Sequence, residues 1–384
     1  MPTSRLKPQQ TTRPLPLPEP TNNIPLMLIG IEAERANLSQ KTGVEHYAKQ
    51  LILHLARLDR KNRYILYLRT KPEGWFLSLP ENFTVKVMPF PIFWTQLRLS
   101  WEVLRHPIDA LLIPASAMPL IHPKRSFVTI HDLAWRYYPE TFTRFNRWFL
   151  EYSTKFAIKA ARGIIAVSRS TKNDLVRFYG VKKEKVTVVH HGYENKIINN
   201  KLNILNSLPE KYVLFLSTLQ PRKNLEGLID AFRGLKEECP ELPHKLVVVG
   251  KPGWKFEKIL EKIEKNKDIV AYLNHVSDPD RLAIMAGAEL LVLPSFYEGF
   301  GMQILEAFAA GVPVATSKIS SMPEVAGEAA VYFDPKNITE MKNAIKSVLL
   351  DKSLAESLKE KGQIRLKDFS WEKCAKETLE VLER

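Results

Sequence analysis

Short runs of aliphatic and β-branched residues alternate along the chain with longer stretches in which apolar positions recur every three or four residues. That switch of period marks strand–helix–strand units, which build parallel sheets covered by helices on both faces. In the first half the runs predict strands over 26–31, 64–68, 85–89, 110–114, 127–131, 163–168 and 186–190. In the second half they predict strands over 212–217, 245–250, 269–273, 289–295, 312–316 and 330–334. Uninterrupted apolar runs such as Leu290-Leu291-Val292-Leu293 suit strands buried on both faces. The rhythm breaks over 195–210, a stretch of Asn, Lys and isolated aliphatics that ends in Leu208-Pro209 and reads as a linker. The expected organisation is a disordered, proline-rich tail over 1–24, a parallel-sheet domain over 25–200, a second over 201–369, and a C-terminal helix over 370–384 with Ser370 as its N-cap. Two such sheets in series place ligands at the carboxyl ends of their strands, across a shared cleft. A single linker between them leads to the expectation of domain closure around a ligand.

Composition narrows the class of protein. A chain of 384 residues has room for two domains. Its 45% hydrophobic and 26% charged residues match a water-soluble globular protein rather than a disordered or membrane-embedded one. Cys239 and Cys374 stand too far apart for a metal-ligand spacing or a disulfide framework, which points to a reducing, cytoplasmic compartment. No run reaches the roughly 18 apolar residues of a membrane span, and the first residues lack the apolar stretch of a secretory signal. The net charge of +14 calls for an acidic partner. Nucleic acid, an anionic membrane surface, nucleotide diphosphates and phosphorylated lipid acceptors all fit it.

The residues that carry chemistry cluster after strands. Ser295-Phe296-Tyr297-Glu298-Gly299-Phe300-Gly301-Met302 follows a buried strand, turns at two glycines and enters a helix that carries Glu306 about one turn in. Gly299 and Gly301 let the backbone approach a ligand and expose amides at a helix N-terminus. Glu298 suits sugar hydroxyls, and Glu306 can accept hydrogen bonds from a ribose diol. Gln220-Pro221-Arg222-Lys223-Asn224 puts two adjacent cations at the end of another strand, a pattern suited to a diphosphate. Cations are unfavourable at the start of a helix, so a purely structural role explains them poorly.

These segments resemble the paired-glutamate motif of retaining glycosyltransferases with the GT-B fold, particularly glycosyltransferase family 4. Ala307-Phe308-Ala309-Ala310-Gly311-Val312-Pro313-Val314 and Ser321-Met322-Pro323-Glu324-Val325 continue the pattern. The resemblance implies an α/β architecture of two Rossmann-like domains facing across a cleft. It also implies transfer of a sugar from a nucleotide diphosphate to an acceptor hydroxyl with retained configuration. It assigns Glu298 to donor sugar hydroxyls, Glu306 to the ribose, and Arg222 and Lys223 to the diphosphate and leaving group. Gly43, with Phe300 and Met302 beside the two loop glycines, completes the donor site; His131 reaches the donor sugar at the reaction centre. The family has a richer glycine loop where this chain offers only Gly43, and a tight turn into the first helix explains that residue equally well.

The resemblance is nearest to bacterial mannosyltransferases of polysaccharide assembly, so GDP-mannose is the first expected donor and a UDP-sugar the second. The acceptor expected is a glycan or a lipid-linked hydroxyl, with no metal and no cofactor. Ser168 is expected to cap the helix that follows it. Asp278-Pro279-Asp280 reads as a cap, with Asp278 at the N-cap and Pro279 first in the helix. His190-His191 lacks further metal ligands at suitable spacing. A GT-B-fold sugar-nucleotide epimerase and a basic nucleic-acid-binding protein are the alternative functions; no nucleic-acid-recognition signature accompanies the charge, so nucleic acid is not an expected partner. Aromatic and basic residues interleave over 90–105, in Trp135-Arg136-Tyr137-Tyr138 and over 144–149. They read either as core packing with snorkelling cations or as a face for an anionic membrane surface, which would place the chain peripherally at the inner face of the membrane.

Overall fold

The computed structural model describes residues 26–38, 43–193, 208–274 and 276–384. The expected proline-rich tail and most of the expected linker lie outside these residues. The first sheet holds seven strands: β1 (Leu28–Glu32), β2 (Arg63–Leu68), β3 (Phe83–Val87), β4 (Ala110–Ile113), β5 (Ser126–Ile130), β6 (Gly163–Ala166) and β7 (Val186–Val188). The second holds β8 (Tyr212–Leu216), β9 (Lys245–Val249), β10 (Val270–Leu273), β11 (Leu290–Leu293), β12 (Val314–Ser317) and β13 (Ala330–Phe333). Their orders are β3-β2-β1-β4-β5-β6-β7 and β10-β9-β8-β11-β12-β13. Every pairing is parallel. Strand order therefore reverses between β1 and β4 and again between β8 and β11, and such switch points open a crevice at the strands' carboxyl ends.

All thirteen predicted strands are present. β3 begins two residues earlier than expected because Tyr64 pairs with Phe83 in register, and their rings stack 4.2 Å apart. The core strands of both sheets are buried on both faces, as helices cover each side.

The last helix, Trp371–Glu383, does not stand apart. Ser370 caps it by accepting from the Lys373 amide. It packs along helix Gly43–Leu58 of the first domain, and Trp371, Cys374, Ala375, Val381 and Leu382 join the core beneath the first sheet. The chain thus crosses between the domains twice. Tyr193 pairs with Ser370 where the two crossings meet. A Cβ on Gly192 would sit 2.0 Å from the Trp371 amide nitrogen, so the contact is backbone against backbone. The expectation of a single joining linker is corrected accordingly.

The aromatic-basic segments divide by face. Trp94, Leu99, Val103 and Trp135 are buried, whereas Phe93, Leu97, Trp101 and Leu104 are exposed. On helix Arg144–Ala160, Phe145, Trp148 and Tyr152 form an exposed stripe, with Trp148 stacked on Tyr152 and exposed Arg144, Arg147 and Lys155 alongside. Among the described residues no helix is long and apolar enough to cross a membrane.

Candidate active site

The two loops that leave β8 and β11 flank the switch point of the second sheet and carry the predicted charges. After β8, residues Pro221–Lys223 form a 3-10 turn rather than the expected direct start of a helix. Asn224 then takes a left-handed conformation, and helix Leu225–Glu238 follows. The Asn224 side-chain amide donates to the carbonyls of Pro294 and Pro335, which ties this turn to the end of β11. The Phe296 amide donates to the Arg222 carbonyl at 2.9 Å. Local turn chemistry and backbone pairing therefore hold the cations against the glutamate loop.

Glu298 is buried between them. Its carboxylate lies 2.5 Å from Lys223 Nζ and 3.4 Å from Arg222 Nη1, and accepts from Ser295 Oγ at 2.6 Å. The Arg222 guanidinium also donates to the Tyr297 carbonyl. Burial pushes the Glu298 carboxyl up, but the charges of Lys223 and Arg222 and the bonds from Lys223 and Ser295 outweigh it, so its pKa lies below the usual range. Burial pushes the Lys223 ammonium down, as does Arg222 beside it, against the opposing pull of Glu298. Two cations share the Glu298 carboxylate, and the Asp132 charge acts on Lys223 as well. Arg222 Nε is buried and finds no hydrogen-bond partner among the described residues.

Both loop glycines stand where a side chain would be strained or crowded. Gly301 has φ 95°, outside the comfortable range of other residues, and leads into helix Met302–Ala309. A Cβ on Gly299 would lie 2.1 Å from the His131 carbonyl oxygen. The loop after β5 therefore rests directly on the glutamate loop and brings His131 of the first domain to the switch point of the second. His131 Nε2 lies 2.8 Å from the Pro114 carbonyl, a partner that only accepts, so Nε2 carries the proton. Burial, opposed by that bond and by Asp132, lowers its pKa and keeps the ring neutral with Nδ1 unprotonated.

Other predicted residues fall in different settings. The Phe300 side chain is buried in the core of the second domain with its ring 4.8 Å from His191, so only its backbone can face a donor. Met302, also packed against the core, opens the helix and offers a backbone amide there. Gly43 begins helix Gly43–Leu58, and nothing among the described residues lies within 4 Å of where its Cβ would stand. That open space admits a ligand but shows no crowding that demands glycine. Glu306 lies one turn into its helix, as expected, with Oε1 2.5 Å from Arg281 Nη1. Ser168 caps helix Arg169–Tyr179 by accepting from the Thr171 amide. The expected cap at Asp278 is corrected: Ser277 caps that helix, and Asp278 and Pro279 are its first two residues. Among the described residues no group of three or more His, Cys, Asp or Glu is placed to hold a metal ion.

Several contributors were not anticipated. Tyr297 reaches into the first domain, donating to Asp174 at 2.6 Å and accepting from the Leu133 amide at 3.3 Å. Ser320 and Ser321 hold the Glu298 carbonyl. Glu324 of the second domain seats its carboxylate at the start of helix Arg169–Tyr179, 2.8 Å from the Arg169 amide and 3.3 Å from that of Ser170, with His190 Nε2 at 2.7 Å. Tyr297, Ser321 and Glu324 lie within the glutamate-loop segment and the segment over 321–325, but neither segment tells which partner each would meet. A cavity of about 660 Å³ opens beside the Glu324 contact, lined among others by Arg169, Asn173, His190, Arg365 and Lys373.

Comparison with known proteins agrees with this geometry. Residues 198–365 match the model of "Glycosyl transferases group 1" and residues 41–195 that of "Glycosyltransferase Family 4". O-antigen chain mannosyltransferase B of Escherichia coli is 30% identical over 265 residues, which cover 67% of this chain and 69% of that protein. The serotype-specific mannosyltransferase WbdA of Escherichia coli is 27% identical over 245 residues, 61% of this chain but only 30% of that longer protein. Sucrose-phosphate synthase from Thermosynechococcus elongatus superposes with a TM-score of 0.72 at 18% identity, covering 92% of this chain and 98% of the other. The fold is GT-B, and the chain belongs to the glycosyltransferases, with a family 4 domain followed by a group 1 domain.

Proposed function

With that family membership as premise, we propose that the chain transfers a hexosyl unit, mannose first, from a nucleotide diphosphate to a hydroxyl of a glycan or lipid-linked acceptor, with retained configuration. GDP-mannose is the first donor proposed and a UDP-sugar the second. The names of the matched relatives support mannose. The observation that carries the reading is the Arg222–Lys223–Glu298 cluster, where two adjacent cations, one with a buried Nε that finds no partner among the described residues, stand at the switch point of the second sheet.

A diphosphate seated there meets Arg222 through a planar fork and Lys223 as a point charge. As the bond from sugar to phosphate breaks, negative charge grows on the leaving oxygen, and these fixed cations stabilise it without reorganising. No metal is required in this scheme. The departing phosphate assists in taking the acceptor proton. Glu298, freed from Lys223 as the diphosphate arrives, accepts from donor sugar hydroxyls, and Glu306 accepts from the ribose. Neutral His131 offers polar contact to the sugar from the opposite domain, and Gly43 leaves room for phosphate. The exposed Phe145–Trp148–Tyr152 stripe with its flanking cations supports a peripheral place on the inner, anionic face of a membrane, where a lipid-linked acceptor resides.

The test is donor binding and donor hydrolysis by the purified protein against GDP-mannose, UDP-glucose, UDP-GlcNAc and UDP-galactose. One donor is expected to bind preferentially, and Arg222→Ala to weaken it about tenfold or more. Equal, undetectable binding by both proteins across the panel sinks the reading.

A further inference from the structure

Glu306 does not face its ligand space alone. Arg281, on helix Asp278–Ala286, brings Nη1 to 2.5 Å from Glu306 Oε1, and the two side chains are only 22% and 14% exposed. Asp278, one turn back, sits 3.4 Å from Arg281 Nε but is 76% exposed, so the guanidinium is held chiefly by Glu306. Arginine stays charged at any working pH, so the pair is a fixed feature of the fold. Tyr193, where the chain crosses between domains, feels both charges, Glu306 raising its phenol and Arg281 opposing, on top of the larger effect of burial.

We infer that Arg281 is a positioning residue for the donor nucleoside: it fixes the Glu306 carboxylate in the one orientation that meets a ribose diol. The inference rests on the reading of Glu306 as the ribose acceptor. A carboxylate can accept about four hydrogen bonds. The guanidinium contact at Oε1 leaves capacity for two vicinal hydroxyls. A glutamate on an open helix face samples several staggered rotamers, and ordering it when ligand arrives weakens binding. Arg281 orders it beforehand. A site built in this way rejects a ligand that lacks one of the hydroxyls more strongly than a loosely held carboxylate can.

The experiment measures dissociation constants for GDP and 2′-deoxy-GDP, and for UDP and 2′-deoxy-UDP, with wild type, Arg281→Gln, Glu306→Gln and the double variant. Melting temperatures confirm that each protein is folded, and Arg281→Lys retains the charge without the planar fork. Arg281→Gln is expected to weaken the ribonucleotide about tenfold while leaving the deoxynucleotide within about threefold. The double variant is expected to be no worse than Glu306→Gln alone. Arg281→Lys should recover only part of the discrimination. If Glu306→Gln abolishes discrimination between the two sugars and Arg281→Gln leaves it as in wild type, Arg281 has no positioning role. If Glu306→Gln itself leaves discrimination intact, the ribose reading of Glu306 is what fails, and the inference goes with it.

Discussion

Lys223 and Glu298 pair across 2.5 Å, with Arg222 3.4 Å from the same carboxylate. Because the Glu298 pKa is depressed in the folded protein, its contribution to stability is complete above the ordinary carboxyl value of 4.5 and is lost as pH falls through the lower folded value. Lys223→Met removes the nearest partner and leaves a buried carboxylate that only Arg222 and Ser295 answer. Denaturant unfolding at neutral pH is expected to show a loss of about 3 kcal/mol, with a shallower fall on acidification than in wild type. An unchanged acid profile would mean that Lys223 does not govern the carboxylate. Glu298, Arg222 and Lys223 were legible in the sequence because each lies in a short stretch whose residue types and position after a strand already state the chemistry. Arg281, Asp174 and Tyr297 were not. Nothing near Arg281 in sequence names Glu306, 25 positions on, as its partner; helix packing decides that. A loop phenylalanine can face a ligand or the core, and the sequence does not say which; the Phe300 side chain turns inward.

At the scale of elements, the alternation of apolar runs located the thirteen strands of the described residues, because strands buried on both faces tolerate few polar residues. The destination of the last helix was beyond such reading: an amphipathic pattern tells which face is covered and not what covers it. Trp371 is 2% exposed and packs in the core of the first domain. Trp371→Ala is therefore expected to destabilise the protein by about 3–5 kcal/mol, with near-ultraviolet circular dichroism showing the loss in the first domain's aromatic cluster. The stripe on helix Arg144–Ala160 is the reverse case, an apolar row left outside. Wild-type protein should sediment with vesicles containing phosphatidylserine more than with neutral ones, and Phe145→Ala/Trp148→Ala/Tyr152→Ala should lower that partitioning about tenfold. Equal recovery of wild type and variant with the vesicles would remove this face from membrane binding.

For the whole molecule, the contact between domains combines aromatic packing, such as Tyr138 stacked on Phe296, with a directional polar contact. Glu324 carries it into the first domain, where free amides at a helix start and His190 receive its carboxylate. Burial raises the Glu324 pKa, but these bonds outweigh it and hold the group ionised below the usual range. Glu324→Gln removes the charge that the helix start favours, a loss of up to about 2 kcal/mol. Small-angle scattering without donor should then show a larger radius of gyration. In wild type the same expansion should appear as pH falls through the depressed Glu324 pKa, which lies under the ordinary carboxyl range. Identical scattering from both proteins at neutral pH would mean that other contacts set the domain arrangement. The returning helix has a further effect, in time rather than space. The core beneath the first sheet is completed by Trp371, Cys374, Ala375, Val381 and Leu382, which leave the ribosome only after the entire second sheet has been made. At about 5–20 residues per second, roughly 10–40 s of synthesis pass between β7 and that helix. Through that interval the nascent first domain exposes an apolar seat that chaperones must shield, and the finished enzyme is born by a closing stitch rather than one domain after the other.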